Sequence, residues 1–138
     1  MIRVFLDADV ILDLFVQREP FHLQAVRLFS RLRRSKTPGF TSPIVAANVH
    51  YILSRVKNQR YAMEKLRQLR KLVSIAPVTE EIVDAAIHSS QKDFEDSLQF
   101  HCAVTNRMDI IVTRNVKDFP GGPLRIAEPL EYLSSERA

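Results

Sequence analysis

Acidic and amide side chains suited to binding a hard metal ion fall into three groups along the chain. The groups are Asp7 with Asp9, Asp93 with Asp96, and Asn115 with Asp118. The first follows the apolar run 2–6, the second opens an amphipathic segment, and the third follows the apolar run 110–112. Ligands of open parallel sheets bind at the carboxyl ends of the strands. We therefore expect these side chains to be separated in sequence and to meet in space.

Carboxylates that crowd together call for a cation. Asp93 and Asp96 are three residues apart, so on a helix they share one face. Neighbouring carboxylates raise one another's pKa unless a positive charge neutralises them, and Mg²⁺ or Mn²⁺ with oxygen ligands commonly does so. Such an ion activates water, orients a phosphodiester and neutralises the leaving oxygen. The groups thus predict metal-assisted phosphodiester hydrolysis.

Several of these acids also have an ordinary structural interpretation. Asp9 is better suited to cap a helix than to bind a metal, Asp93 is equally suited to cap the helix that carries Asp96, and Asp118 to cap a turn. Asp7 is the strongest candidate ligand. An acid that ends a buried apolar strand is costly unless it is paired or bound to a cation.

Positive charge is concentrated in one part of the chain. The net charge is +4, but residues 27–71 hold twelve Lys and Arg against one acid, Glu64, whereas the other residues hold eight bases and fifteen acids. Basic clusters attract phosphate backbones. The alternative is that these arginines only solvate the outer faces of helices. The asymmetry indicates a polyanionic partner without identifying it.

Strand-like and helical segments alternate along the 138 residues, which predicts one α/β domain, 1–138, with a parallel sheet covered on both faces. Ser42-Pro43 and Thr79 are predicted helix starts. Cys102 is the single cysteine, so an intrachain disulfide is excluded. The apolar runs are too short for a membrane span, and the chain opens with an apparent strand. A cytoplasmic protein that does not enter the membrane is the expectation.

Four segments in the same order resemble the motifs of PIN domains, and the match runs nearly end to end. The segments are 4–13, 41–48, 93–99 and 111–119. The resemblance implies a three-layer α/β/α sandwich with a short central parallel sheet of four or five strands. It assigns the first acid to Asp7, the third to Asp96, and the fourth polar position to Asn115 or Asp118. Asp93 is a further candidate metal ligand because of its spacing from Asp96.

The resemblance also implies a function. Within the PIN domains, the chain resembles the VapC-like toxins. These are Mg²⁺- or Mn²⁺-dependent ribonucleases, often paired with an antitoxin protein and usually homodimeric. One position departs from the pattern, because Asn48 stands where the family has Glu. Asn48 is a neutral ligand that cannot act as a base. We therefore expect weaker metal binding and a slower or inactive nuclease, unless Asp93 substitutes for the missing acid.

Two other functions fit parts of the sequence. Residues 5–10 also match the phosphatase signature of the haloacid dehalogenases, in which Asp7 would attack phosphorus and Asp9 would be the acid. That family also needs a lysine after a later strand, and this chain has no persuasive candidate for it. A PIN scaffold that binds RNA or a partner protein without cutting is the non-enzymatic alternative. Aromatic residues at Phe21, Tyr51 and Tyr61 predict a homodimer formed partly by the helices between residues 42 and 71.

Overall fold

The computed structural model describes residues 1–89 and 92–135 of the chain. Its strands are β1 Val4–Leu6, β2 Gly39–Thr41, β3 Ser74–Ile75, β4 Ile110–Val112 and β5 Arg125–Ala127. Its helices are α1 Ala8–Val16, α2 Phe21–Arg34, α3 Pro43–Val56, α4 Gln59–Leu72, α5 Glu80–Ile87, α6 Phe94–Thr105 and α7 Pro129–Ser135. A 3₁₀ turn spans Val116–Asp118. The predicted alternation of strands and helices is confirmed.

The sheet is parallel throughout and its strands lie in the order β3-β2-β1-β4-β5. All residues of β1 and β4 are buried, as expected of central strands covered by helices on both faces. Leu6 pairs with Val112 at the ends of these two strands. The residues that follow them, Asp7 and Thr113, therefore emerge side by side at the carboxyl edge of the sheet.

The three-layer α/β/α architecture predicted from the sequence is confirmed. Helix α1 packs against α2 and α3, α3 packs along α4, and α5 pairs with α6. β3 has two residues and pairs with β2 alone among the described strands. Within residues 1–89 and 92–135, no helix is long and apolar enough to cross a membrane.

Local capping chemistry explains where two of the helices begin. The Ser42 hydroxyl accepts a hydrogen bond from the Val45 amide, and Thr79 caps α5 through the Ile82 amide. Both starts were predicted from the sequence and are confirmed. The prediction for α1 was wrong, because Asp7, and not Asp9, is its N-cap. Asp7 has extended backbone angles and its side chain accepts from the Ala8 amide, so the helix begins earlier than expected.

Each of the three aromatic residues assigned to a dimer surface has a contact within the chain, which for Tyr51 is the Arg55 guanidinium 5.7 Å from the ring centroid. The guanidinium of Arg114 stacks on Phe21, 3.9 Å from the ring centroid. The Tyr61 hydroxyl donates to the Phe15 carbonyl at 3.2 Å. Tyr51 remains 62% exposed. A dimer surface on α3 therefore depends on Tyr51 and its exposed neighbours.

Candidate active site

Asp7 lies at the junction of β1 and α1, where both of its carboxylate oxygens are engaged. Oδ1 accepts from the Ala8 amide at 2.8 Å, and Oδ2 accepts from the Thr113 hydroxyl at 2.9 Å. Thr113 is buried directly after β4. The parallel pairing of β1 with β4 thus fixes the Asp7 side chain at the carboxyl edge of the sheet.

Asp9 ties α1 to the loop after β4 instead of capping the helix. Its Oδ2 accepts from the Arg114 amide at 3.0 Å and from the Asn115 side-chain amide at 2.9 Å. Its Oδ1 is buried and has no hydrogen-bond partner among the residues that the structure describes. One oxygen therefore holds the loop, and the other is a buried acceptor left for a cation or a proton.

A buried ion pair behind this loop was not predicted from the sequence. Asp13 is 1% exposed and accepts from Arg114 at both oxygens, 2.6 Å from Nε and 3.1 Å from the terminal nitrogen. Arg18 lies 3.3 Å from the same carboxylate. Such a bidentate pair fixes the direction of the guanidinium. Because Arg114 is also the residue whose backbone amide binds Asp9, the pair orients the loop next to the acids.

The start of α6 brings the third group of acids. Asp93 is the N-cap, and its Oδ1 accepts from the Asp96 amide at 2.9 Å. The capping role considered for Asp93 is therefore confirmed. Asp96 faces a cleft of about 480 Å³, which is shared with Asp118 of the 3₁₀ turn. The cleft is lined by Lys92, Asp93, Asp96, Lys117, Asp118, Phe119 and Pro120.

Asn48 reaches this region from α3. Its side-chain amide donates to Oε1 of Glu95 at 2.7 Å. A second link between the two helices is buried, since the Ser42 hydroxyl donates to Oε1 of Gln99 at 2.6 Å. The start of α3 is thereby anchored to α6. Asn48 therefore lies beside the acidic start of α6.

The electrostatics shows that the acids from different elements lie close to one another. Burial raises the pKa of Asp7, and the charges of Asp96 and Glu95 raise it further. Burial and then the charge of Asp7 raise the pKa of Asp9 to about 6. Burial, followed by the charges of Asp93 and Asp118, raises the pKa of Asp96 to about 6. Desolvation and mutual repulsion both favour a cation at this edge.

Comparison with known proteins identifies the family. Residues 3–117 match the PIN domain. This chain belongs to the PIN domain family. It is 27% identical over 135 residues to ribonuclease VapC1 of Aquifex aeolicus strain VF5, with 94% of this chain and 92% of the relative covered.

Two solved structures share the fold of this PIN domain. A toxin-antitoxin complex from Klebsiella pneumoniae contains a chain with a TM-score of 0.68 and 20% identity, covering 91% of this chain and 97% of the other. The sarcin-ricin loop cleaving toxin VapC20 of Mycobacterium tuberculosis has a TM-score of 0.61 and 21% identity, covering 78% of this chain and 86% of the other. The PIN assignment removes the support for a haloacid-dehalogenase phosphatase.

The donor chemistry of the PIN site fits a hard divalent cation. The carboxylates of Asp7, Asp9 and Asp96 lie at one edge of the sheet, where their charges raise one another's pKa, and the buried Oδ1 of Asp9 has no hydrogen-bond partner among the described residues. Mg²⁺ and Mn²⁺ prefer such oxygen donors. Among the residues that the structure describes, no three His, Cys, Asp or Glu side chains stand close enough to hold one ion together. Binding would therefore require water ligands or side-chain rotation.

The structure brings together the acids that the sequence assigned to the site. They are Asp7, Asp93, Asp96 and Asp118, with Asn115 bound to Asp9 and Asn48 bound to Glu95. Sequence reasoning missed Glu95 and the Asp13–Arg114 pair. Glu95 stands between two predicted ligands in sequence, but no spacing rule distinguishes it from an ordinary first-turn acid.

Proposed function

We propose that this PIN domain is a Mg²⁺- or Mn²⁺-dependent endoribonuclease and the toxin of a toxin-antitoxin pair. The observation that carries the proposal is the meeting of acids from β1, α6 and the turn after β4 at the carboxyl edge of the sheet. The family assignment and the similarity to a ribonuclease support the same reading. The geometry of the acids and the family assignment thus support the same proposal.

In this proposal Asp7, Asp93, Asp96 and Asp118 hold the metal, while Asn48 and Asn115 complete the polar lining. The bound ion would activate water and offset the charge that develops on the phosphodiester. Thr113 keeps the Asp7 carboxylate in place through its hydroxyl. Asn115 and the Arg114 amide do the same for Asp9. The neutral donors orient these acids without removing their charge.

RNA is the proposed substrate, and the distribution of positive charge supports it. Lys92 and Lys117 line the same cleft as Asp96 and Asp118. In the proposal they contact the phosphates that flank the bond to be cut. The basic stretch 27–71 adds charge that favours a polyanion in general. A metal site with lysines at its border suits a phosphodiester substrate better than a neutral one.

Two protein partners and a cellular location complete the proposal. An antitoxin is proposed because solved structures with this fold include a toxin-antitoxin complex. A homodimer is proposed because Tyr51, Ile52 and Val56 on α3 are exposed apolar residues, 62%, 39% and 57% respectively. Exposed apolar residues on one helix are typical of protein contact surfaces. A cytoplasmic location follows from the proposed RNA substrate.

The proposal is tested with a labelled structured RNA titrated with Mn²⁺. Asp7→Asn removes a charge at the proposed metal, so cleavage should fall by at least about 100-fold. Asp84→Asn, an exposed acid on α5, is the matched control and should cleave like the wild type. Circular dichroism checks that both variants are folded.

Three outcomes would contradict the nuclease proposal. Equal cleavage by the wild type and Asp7→Asn would locate the activity elsewhere or in a contaminant. Cleavage by the wild type that persists in EDTA would exclude a requirement for a divalent metal ion. RNA binding without cleavage at any Mn²⁺ concentration would identify a binding scaffold in place of an enzyme.

A further inference from the structure

We infer that a basic groove on both sides of α2 binds the phosphate backbone of RNA away from the bond that is cut. The inference rests on the proposed RNA substrate and assigns it a surface outside the acidic cleft. The surface consists of three adjoining cavities of about 530, 170 and 480 Å³. Together these cavities form the α2 groove.

The three cavities join because they share residues of the helices around them. The first lies between α2 and α4, and three of its lining residues, Phe29, Arg33 and Leu72, also line the second. The second shares Val26 and Ser30 with the third, which lies between α2 and α7. The groove is therefore continuous from the end of α4, over α2, to α7.

The charged side chains that line the α2 groove are all bases. Among residues 1–89 and 92–135, no acid lines any of the three cavities. The six bases are Arg27, Arg31, Arg33, Arg34, Lys36 and Lys71. Arg27, Arg33 and Lys36 form no ion pair with any acid that the structure describes. Positive charges gathered without acids favour a polyanionic ligand.

The helix dipole explains only part of this pattern. Bases in the last turn of a helix are stabilised by its free carbonyl groups, which suits Arg33 and Arg34 in α2 and Lys71 in α4. That effect acts within each helix. It gives no reason for the ends of two helices to border one cavity, where their bases repel one another. It also does not account for Arg27, near the middle of α2.

Helix α2 connects the groove to the acidic site. Its first residue, Phe21, stacks against the guanidinium of Arg114, whose backbone amide binds Asp9. The helix ends 14 residues later at Arg34, next to the amino edge of the sheet where β2 begins. A helix of this length spans about 21 Å. The arginines of α2 thus follow one straight path that leads away from the acids.

An RNA substrate needs such a surface because the active site itself is acidic. The carboxylates of the cleft repel phosphates until a cation binds, and the bases that line the cleft are Lys92 and Lys117. Phosphate contacts with Lys and Arg supply the affinity of nucleic-acid binding that does not read the sequence. The α2 groove offers six bases at a place where acids do not oppose them.

The lining of the groove favours RNA over an acidic segment of a partner protein. The side chains of Ser30, Gln68 and Ser134 stand among the bases and are suitable donors to phosphate oxygens. Between α2 and α4 the apolar floor is already covered, since Phe29 and Leu32 are only 6% and 5% exposed. An amphipathic peptide would bury little apolar surface there. A phosphate backbone needs only the charged rim.

Fluorescence anisotropy of a labelled structured RNA in EDTA measures binding without metal-dependent cleavage. The triple variant Arg33→Gln, Lys36→Gln and Lys71→Gln should weaken binding by about 10-fold or more. It should also reduce the slope of log K against log[KCl] by about 2, because each phosphate contact contributes about 0.7 to 0.9 to that slope. The double variant Arg27→Gln and Arg34→Gln should reduce it by about 1.5. All five side chains are exposed, so circular dichroism should be unchanged.

Arg60→Gln is the matched control for Lys71→Gln. Arg60 is exposed in the first turn of the same helix, about 16 Å along α4 from Lys71. Arg60→Gln should keep the wild-type slope, whereas Lys71→Gln should reduce it by about 0.7 to 0.9. In Mn²⁺-dependent cleavage the groove variants should raise KM and leave kcat within about two-fold of the wild type, because the groove holds RNA away from the reacting bond.

The results separate the α2 groove from the nuclease proposal. Wild-type RNA affinity and slope in both groove variants, with cleavage intact, would remove the groove and leave the nuclease standing. A loss in Arg60→Gln equal to that in Lys71→Gln would replace the groove by a general effect of net charge. Loss of RNA binding in the groove variants, when the wild type binds RNA but does not cut it, would uphold the inference and refute the nuclease.

Two further results would overturn the inference. Absence of RNA binding by the wild type would refute the groove together with the proposed substrate. A helical peptide rich in Glu and Leu is the probe for the competing occupant. If the wild type binds this peptide and the groove variants do not, while RNA binding is unchanged, the groove belongs to a protein partner.

Discussion

Replacing Asp9 by asparagine should stabilise the metal-free protein at neutral pH. Burial and the charge of Asp7 raise the pKa of Asp9 from 3.8 to about 6. Each pKa unit is worth about 1.4 kcal/mol, so ionising Asp9 costs the folded state about 3 kcal/mol. Asparagine keeps a carbonyl oxygen that accepts from Arg114 and Asn115 and removes the charge. Its amide replaces the unpartnered Oδ1 at a cost of about 1 kcal/mol, which leaves a gain of about 2 kcal/mol.

The sign of the pH dependence follows from which state releases its proton first. Unfolded Asp9 ionises near 3.8 and folded Asp9 near 6, so the unfolded state binds fewer protons between these values. Protonated Asp9 makes its full contribution to the free energy of unfolding below pH 3.8, and this contribution is lost as the pH rises through about 6. The advantage of Asp9→Asn should therefore be full at pH 7.5 and disappear near pH 4.

Urea denaturation in EDTA measures the stability gain of Asp9→Asn over the wild type at pH 7.5 and at pH 4. Asp84→Asn is the control and should change the free energy of unfolding by no more than about 0.5 kcal/mol at either pH. Saturating Mg²⁺ should narrow the difference between the wild type and Asp9→Asn, because a bound cation offsets the repulsion. A variant that is less stable than the wild type at pH 7.5, or a gain that does not vary with pH, would refute the reasoning.

Two further predictions concern the loop and the assembly. Asp13→Asn should destabilise the fold by about 3 kcal/mol, because the buried partner of Arg114 loses its charge. A thermal unfolding midpoint equal to that of the wild type would contradict this prediction. Val56→Asp should shift the sedimentation profile from dimer to monomer while leaving the circular dichroism unchanged, because it places a charge on the exposed face of α3. A wild type that stays monomeric at high concentration would refute the dimer.

Features that depend on local chemistry were predictable from the sequence. Ser42 and Thr79 satisfy helix amides a few residues away, so their roles can be identified from neighbouring residues. The strands β1 and β4 are short, continuous apolar runs because both of their faces are buried. Their pairing then brings Asp7 next to Thr113, which follows from the parallel architecture.

Features that depend on distant contacts were not predictable in the same way. Asn48 and Glu95 are 47 residues apart, and Asp13 and Arg114 are 101 apart. No periodicity in either segment distinguishes these residues from exposed charges on helices. The role of Asp9 was misjudged for a related reason. Its best hydrogen-bond donors lie in the loop after β4 and not in its own helix.

The two clusters of charge in this fold act in opposite directions on stability. Asp7, Asp9 and Asp96 repel one another and have raised pKa values, so without a cation they destabilise the folded state at neutral pH. Asp13, one helical turn along α1 from Asp9, forms an ion pair with Arg114 of the loop after β4 and so holds the same loop. The pair keeps Arg114 in place, and its amide keeps Asp9 among the acids despite their repulsion. The proposed metal site would have to hold these like charges together before a cation binds, and Asp13, on the same helix as Asp9, anchors the loop that does so.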